Sequence, residues 1–439
     1  MEKNDRKTIF GWCMYDWANS AYVTTVAVAL LPAYFAGEIV GSDGVMIGET
    51  IYSATTLWGF TVGLAAFLCF ISSPVLGAIS DFTTAKKKFL IAFAYTGSLF
   101  TILLYFCQVG DVTRTLFFFL LAQICFISGN VFYDAFLPQI ASDDKMDWVS
   151  GKGFAYGYVG GGLQFAVSLG LVAGHAQLGL SLSMAVRLGI VMAGLWWAGF
   201  TLFLIKNLSE TTRHETLPVR YRKWPKPLAY VAVGISRTLK TTRRIGRFRH
   251  LVLFLIAYML YNDGIQTVIN MATIYGKEEL GLTTTSLMLT LLAIQIIAIF
   301  GALIFGRIAG RINAKKAVMV TLVLWSGVVI YAYFIQSTLE YFILGVAVGI
   351  VLGGSQALSR SLYGSMVPEE ASAEFFGFYT IFSKFSSIWG PMVFAVIRQV
   401  AGSARLSIIS LIIFFILGLV LLAFVDEDKA REAKAAGAF

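Results

Sequence analysis

Of the 439 residues, 57% are hydrophobic and 13% charged, where soluble domains carry roughly 25% charged residues. A soluble core cannot use so much apolar surface, so lipid must solvate most of it, and a soluble domain is excluded. The net charge of +9 is local: segment 206–250 holds twelve Lys or Arg against two Glu.

A bilayer core takes about 20 helical residues to cross. Apolar stretches of that length are predicted at 11–36, 52–76, 87–108, 115–137, 152–174, 183–205, 251–276, 285–305, 317–335, 341–365, 373–397 and 405–425. The expected fold is therefore an all-α integral membrane protein of 12 transmembrane helices, here called spans 1 to 12. Within the basic linker, Leu228, Val231, Ile235 and Leu239 recur at helical spacing among cations, which predicts a helix lying along the membrane surface beside anionic lipid. That position outweighs a nucleic-acid reading of the same charge. Alternate loops differ sharply in charge. One set keeps only Arg114, Arg187, Lys277, Arg398 and Arg405, while most of the other 29 Lys and Arg sit in the N-terminus, the linker, the C-tail and the loops on their side. Positive residues stay inside, so a multi-pass protein of the cell (inner) membrane with both termini cytoplasmic is expected.

The two halves repeat. Gly77-Ala-Ile-Ser-Asp81 followed by Lys86 comes after span 2, and Gly306-Arg-Ile-Ala-Gly310-Arg311 after span 8. Span 4 exits through Asp134-Ala-Phe-Leu-Pro138 and span 10 through Gly364-Ser-Met-Val-Pro368. Two six-span bundles (1–205 and 251–425), a linker (206–250) and a tail (426–439) resemble the major facilitator fold. The glycines of the loop signature permit a tight turn and close helix approach, and Asp81 can sit at a helix end beside the cationic run.

That resemblance implies a cavity lined by spans 1, 4, 7 and 10, and the intramembrane polar residues fall on those spans at helical spacing. Span 1 carries Asp16 and Asn19; span 4, Gln123, Asn130 and Asp134; span 7, Asp263, Gln266 and Asn270; span 10, Gln356, Ser359 and Arg360. A charge in lipid costs about 2.5–3.5 kcal/mol and usually faces the bundle interior. By depth, Arg360 is expected to bridge to Asp16 or Asp134 as an inner gate, since its planar fork suits a carboxylate. Lys384 in span 11 lies deeper, near Asp263, and is expected to pair with it, to hold a substrate carboxylate, or to do each in turn. Gly157–Gly162 imitates a phosphate loop but opens inside a span, so close helix packing is expected; Gly353-Gly354 and Gly390-Pro391 are expected flex points. Cys13, Cys69, Cys107 and Cys125 have no metal-ligand spacing and His175, His214 and His250 lie far apart, so neither metal nor cofactor is expected. No nucleophile, base and oxyanion donor fall together.

Trp12-Cys-Met-Tyr15-Asp16-Trp17-Ala18-Asn19-Ser20-Ala21 resembles the span 1 signature of the vacuole-effluxer-like family of the major facilitator superfamily. Asn130-Val-Phe-Tyr133-Asp134, Tyr261-Asn262-Asp263-Gly264-Ile-Gln266-Thr267 and Gly353-Gly-Ser-Gln356-Ala-Leu-Ser359-Arg360 resemble it likewise. The family includes fungal autophagy-related vacuolar amino-acid effluxers and bacterial "unknown major facilitators". The resemblance implies efflux of small metabolites, amino acids above all, by alternating access. With carboxylates and cations both placed within the spans, a secondary transporter is expected, a uniporter or proton-coupled exporter of a small zwitterionic metabolite, with Asp16, Asp134 or Asp263 as a proton carrier, and a monomer is expected. A lipid translocator on the same fold and a multispan enzyme are the alternatives.

Overall fold

The computed structural model describes residues 2–41, 44–210, 215–244 and 248–435; His214 lies outside them. Almost every described residue is helical, as a bilayer requires of a chain whose backbone polar groups have no water to bond. Helix starts follow local chemistry. The Asp5 carboxylate accepts from Thr8 N–H at 2.8 Å, Ser53 Oγ caps span 2 through Thr56 N–H at 3.2 Å, and Ser337 with Glu340 forms a reciprocal capping box on span 10.

Among the described residues, eleven helices are long and apolar enough to cross a membrane. They include Arg6–Val40, Val112–Ile140, Arg249–Lys277, Thr338–Met366 and Glu369–Ala401. The remaining expected span is Met146–Ala173, a 28-residue helix in the same bundle. Gly, Tyr and Gln occupy positions that the other spans give to Leu, Ile and Phe. Span 1 widens into π turns over Tyr22–Leu30 and Phe35–Val40, which carries it past its predicted end. A small antiparallel hairpin, Val45–Ile47 with Thr50–Tyr52, follows it and was not anticipated.

Spans 1 to 6 pack among themselves and spans 7 to 12 likewise. Between the halves, span 5 packs on spans 8 and 10, and span 2 on span 11. Glycine makes these approaches possible. A Cβ on Gly77 would overlap the carbonyl oxygen of Ala373, and one on Gly377 would sit inside Pro74. Gly160 of span 5 lies flat on Trp17 of span 1, so the glycine run there is a packing surface. Gly353 and Gly354 lie in an unbroken helix, pressed on Ala298 and Phe305. Span 11 does break, between Ser372–Phe385 and Trp389–Ala401.

Inter-half bonds concentrate at the end carrying the basic loops, the basic end. Asp81 accepts from the N–H groups of Ala373 (3.3 Å) and Glu374 (2.9 Å) and pairs with Lys86 at 2.8 Å; Lys86 also donates to Ser372 Oγ at 2.9 Å. Asp81 thus satisfies the orphan N–H groups at a helix start across the two halves. Of the second copy of the signature, Gly306 lies beside the Asp147 carbonyl, whereas Gly310 and Arg311 touch nothing comparable, Arg311 being exposed. The tail helix Glu427–Ala435 closes over the same end, where Lys434 reaches Asp143 at 3.9 Å and the Ser365 carbonyl at 3.2 Å. Toward the opposite end the links are sparser, for example Gln295 Nε2 donating to Thr24 Oγ1 at 3.3 Å.

Candidate functional site: a gated central cavity

Arg360 leaves span 10 and enters the other half of the molecule. Its side chain is 3% exposed. Nε donates to Ser150 Oγ (3.0 Å), Nη2 to the Ser150 carbonyl (2.9 Å) and Nη1 to Asp134 Oδ1 (3.0 Å). Asp16 Oδ2 lies 3.7 Å from Nη1 and accepts from Tyr133 Oη at 3.1 Å. Aromatic rings cover the guanidinium, with Phe154 at 4.1 Å and Trp12 at 4.9 Å from its carbon. Trp12 is itself held by stacking on Tyr133 and by donating Nε1–H to the Tyr133 carbonyl at 2.8 Å. One cation therefore serves two carboxylates from spans 1 and 4, in a site that exists only while the halves are together at this end. Burial makes the arrangement costly to break, because removing one partner strands the other charges.

Two adjoining cavities lie beyond this plug. They share Phe126, Asn130, Phe154 and Gln356. The larger, about 440 Å³, is mostly apolar, with Val268, Ile294, Val348 and Leu352 among its walls and Asp16, Asn19 and Gln295 as polar points. The smaller, about 240 Å³, is polar and takes Asp134, Gln266, Ser359, Arg360 and Lys384. An apolar chamber with a few placed polar groups suits a small molecule. Tyr158 Oη donates to Gln356 Oε1 at 2.6 Å and Asn19 Nδ2 to Asn130 Oδ1 at 2.6 Å, which fixes the amides that line the walls.

The deep pair expected from the sequence is not formed. Asp263, 1% exposed, points both oxygens at the broken end of span 11: Oδ1 accepts from Gly390 N–H at 2.9 Å and Oδ2 from Trp389 N–H at 3.1 Å. It lines neither cavity. The break in span 11 frees helix-start N–H groups, and these donors claim the Asp263 carboxylate in place of the Lys384 ammonium. Lys384, by contrast, lines the smaller cavity, and among the described residues it has no hydrogen-bond or ion-pair partner. Asn270 also departs from expectation, being exposed and lining neither cavity. Trp389, at the break in span 11, is exposed as well. Ser150 escaped the sequence reading: a serine in a glycine-rich span carries no signal that it clamps an arginine 210 residues away.

Residues 4–435 match the family model described as vacuole effluxer Atg22 like. An uncharacterized MFS-type transporter, YxiO of Bacillus subtilis (strain 168), is 36% identical over 435 residues, covering 98% of each chain. Autophagy-related protein 22-1 of Aspergillus niger is 28% identical over 64% of this chain, a match that spans 48% of that longer protein. Among solved structures, the human organic anion transporter MFSD10 superposes with a TM-score of 0.72 at 16% identity, covering 96% of this chain and 100% of that one. That likeness concerns the fold.

Proposed function

We propose that this chain, a secondary transporter that belongs to the vacuole effluxer Atg22-like family of the major facilitator superfamily, exports a small zwitterionic metabolite such as a neutral amino acid. The observation that carries the reading is the ammonium of Lys384, without a partner among the described residues, in a cavity whose other cation, Arg360, is already shared by two carboxylates. A half-buried ammonium that lines an intramembrane cavity with no counter-ion among the described residues calls for an anionic group of the ligand. The adjoining chamber offers Asp16, whose Oδ1 has no partner among the described residues, for an ammonium. A purely anionic ligand would meet that carboxylate, and a hydrophobic cation would meet Lys384. Only a molecule carrying both signs suits both walls.

The basic end is the cytoplasmic one in this reading, on the positive-inside rule, which puts both termini inside the cell membrane and makes the sealed gate the inner gate. Alternating access then requires Arg360 to withdraw from Asp16 and Asp134. Two carboxylates lose one cation in that step, and a proton taken up by either would offset the loss, which supports a proton-coupled cycle. Asp263 is less suited, since two backbone N–H groups hold its carboxylate away from both cavities.

Uptake of radiolabelled amino acids, sugars, organic anions and organic cations into proteoliposomes, with and without a pH gradient, tests the reading. Zwitterions should be transported selectively, and the gradient should accelerate them. Transport of sugars or lipids with no response to any zwitterion would refute it. Cysteine placed at residue 223 should be labelled by an impermeant reagent only from the cytoplasmic side.

A further inference from the structure

The linker helix Lys226–Arg244 has two apolar faces. The inner face buries Ala229, Val233 and Thr241. It lies on the basic end of span 2, where Gly234 meets Val75 and Ile79, Tyr230 meets Phe82, and Arg237 lies over the Phe82 ring at 4.9 Å. Thr241 is buried beside Glu374 of span 11. The helix thus touches both sides of the contact that Asp81 seals. The outer face is the anomaly. Leu228, Val231, Ile235 and Leu239, at i, i+3, i+7 and i+11, form a stripe pointing away from the protein, and all four are exposed. Flanking the stripe, Lys240 and Arg243 are exposed and have no ion-pair partner among the described residues. A recess on this flank is lined by Ser236, Leu239, Lys240 and Arg243. Arg220 Nη2 donates to Ser236 Oγ at its edge, at 2.7 Å. Trp224, exposed just before the helix, adds an interfacial aromatic.

We propose that this outer face is a docking surface for anionic phospholipid, with the stripe among acyl chains and the headgroup phosphate in the Ser236–Lys240–Arg243 recess, and that lipid bound there holds the linker helix across spans 2 and 11 and so favours the sealed state of the basic end. The charge pattern selects lipid over a protein partner. A leucine stripe bordered on one flank by unpaired cations matches the bilayer boundary, apolar below and anionic above. The inference extends the proposed function without depending on which substrate is carried.

The test uses the full-length protein with its four buried cysteines replaced and a nitroxide at Ile235→Cys. It is reconstituted in phosphatidylcholine vesicles with increasing phosphatidylglycerol. Collision with oxygen should rise, and collision with a water-soluble nickel chelate should fall, as phosphatidylglycerol is added. A Lys240→Gln/Arg243→Gln variant, altered only at exposed positions, should weaken the docking equilibrium by roughly 30-fold, since each basic residue near an anionic surface contributes about a factor of five. In the same samples, a spin-label pair across the sealed end should shorten in its mean distance with phosphatidylglycerol, and less so in the variant. A label that stays water-accessible at every phosphatidylglycerol fraction overturns the proposal. So does an equal response in pure phosphatidylcholine, or inorganic phosphate reproducing the effect. Substrate uptake measured in parallel separates failure here from failure of the transport reading.

Discussion

Arg360→Ala perturbs the gate with a calculable effect. The wild-type side chain donates two hydrogen bonds to Ser150 and one to Asp134, and lies 3.7 Å from Asp16. Truncation leaves two carboxylates buried with no cation, and breaking a buried pair in this way costs about 3–5 kcal/mol. The cost is borne only by the sealed state, because opening the basic end hydrates both carboxylates. The equilibrium between sealed and open should therefore shift toward open by roughly two to three and a half powers of ten, at 1.4 kcal/mol per tenfold. Gln139 Nε2 donates to the Glu369 carbonyl across the seal at 3.2 Å, so cysteines at 139 and 369 report it. Their cross-linking rate should collapse in Arg360→Ala. It should recover in Arg360→Ala/Asp16→Asn/Asp134→Asn, where no stranded charge remains. Arg360→Lys should recover little, since a point charge cannot replace three donated bonds in fixed directions. Unchanged cross-linking in Arg360→Ala, with normal folding, would refute the reasoning and place the seal in the Asp81 contacts alone.

Lys384→Ala should abolish zwitterion uptake while leaving thermal stability within about 1 kcal/mol of wild type, because no partner is stranded; undiminished uptake at normal expression would remove Lys384 from the site. Asp263→Ala should behave in the opposite way, lowering stability by about 0.5–2 kcal/mol through the lost cap on Trp389 and Gly390, as read by thermal unfolding in detergent, with substrate affinity changed less than stability. Gly77→Val should force spans 2 and 11 apart, since a Cβ there overlaps Ala373; the 139–369 cross-link should slow, and a normal rate would show that the helices can slide to accommodate it.

How much of this was legible in the residues depends on the range of the interaction that decides it. Helix type, span positions and the two-half arrangement follow from local properties: apolar length against bilayer thickness, loop charge and an internal repeat. The polar positions were equally readable, because a charge such as Arg360 or Lys384 in a lipid-length apolar run has to face inward. Partnership was not readable. Depth alone put Asp263 level with Lys384, yet span 11 breaks after Phe385, and the N–H groups this frees claim the Asp263 carboxylate. Ser150 became a ligand of Arg360 only because span 5 packs against span 10 across the two halves. The linker shows the same division. Its amphipathic spacing announced a surface helix, but both faces are apolar, and tertiary packing decided which one is buried on span 2 and which is left exposed. Composition and periodicity set what each helix must hide; which neighbour satisfies a given polar group depends on backbone breaks and close approaches between segments far apart in the chain, and those arise only when the helices pack.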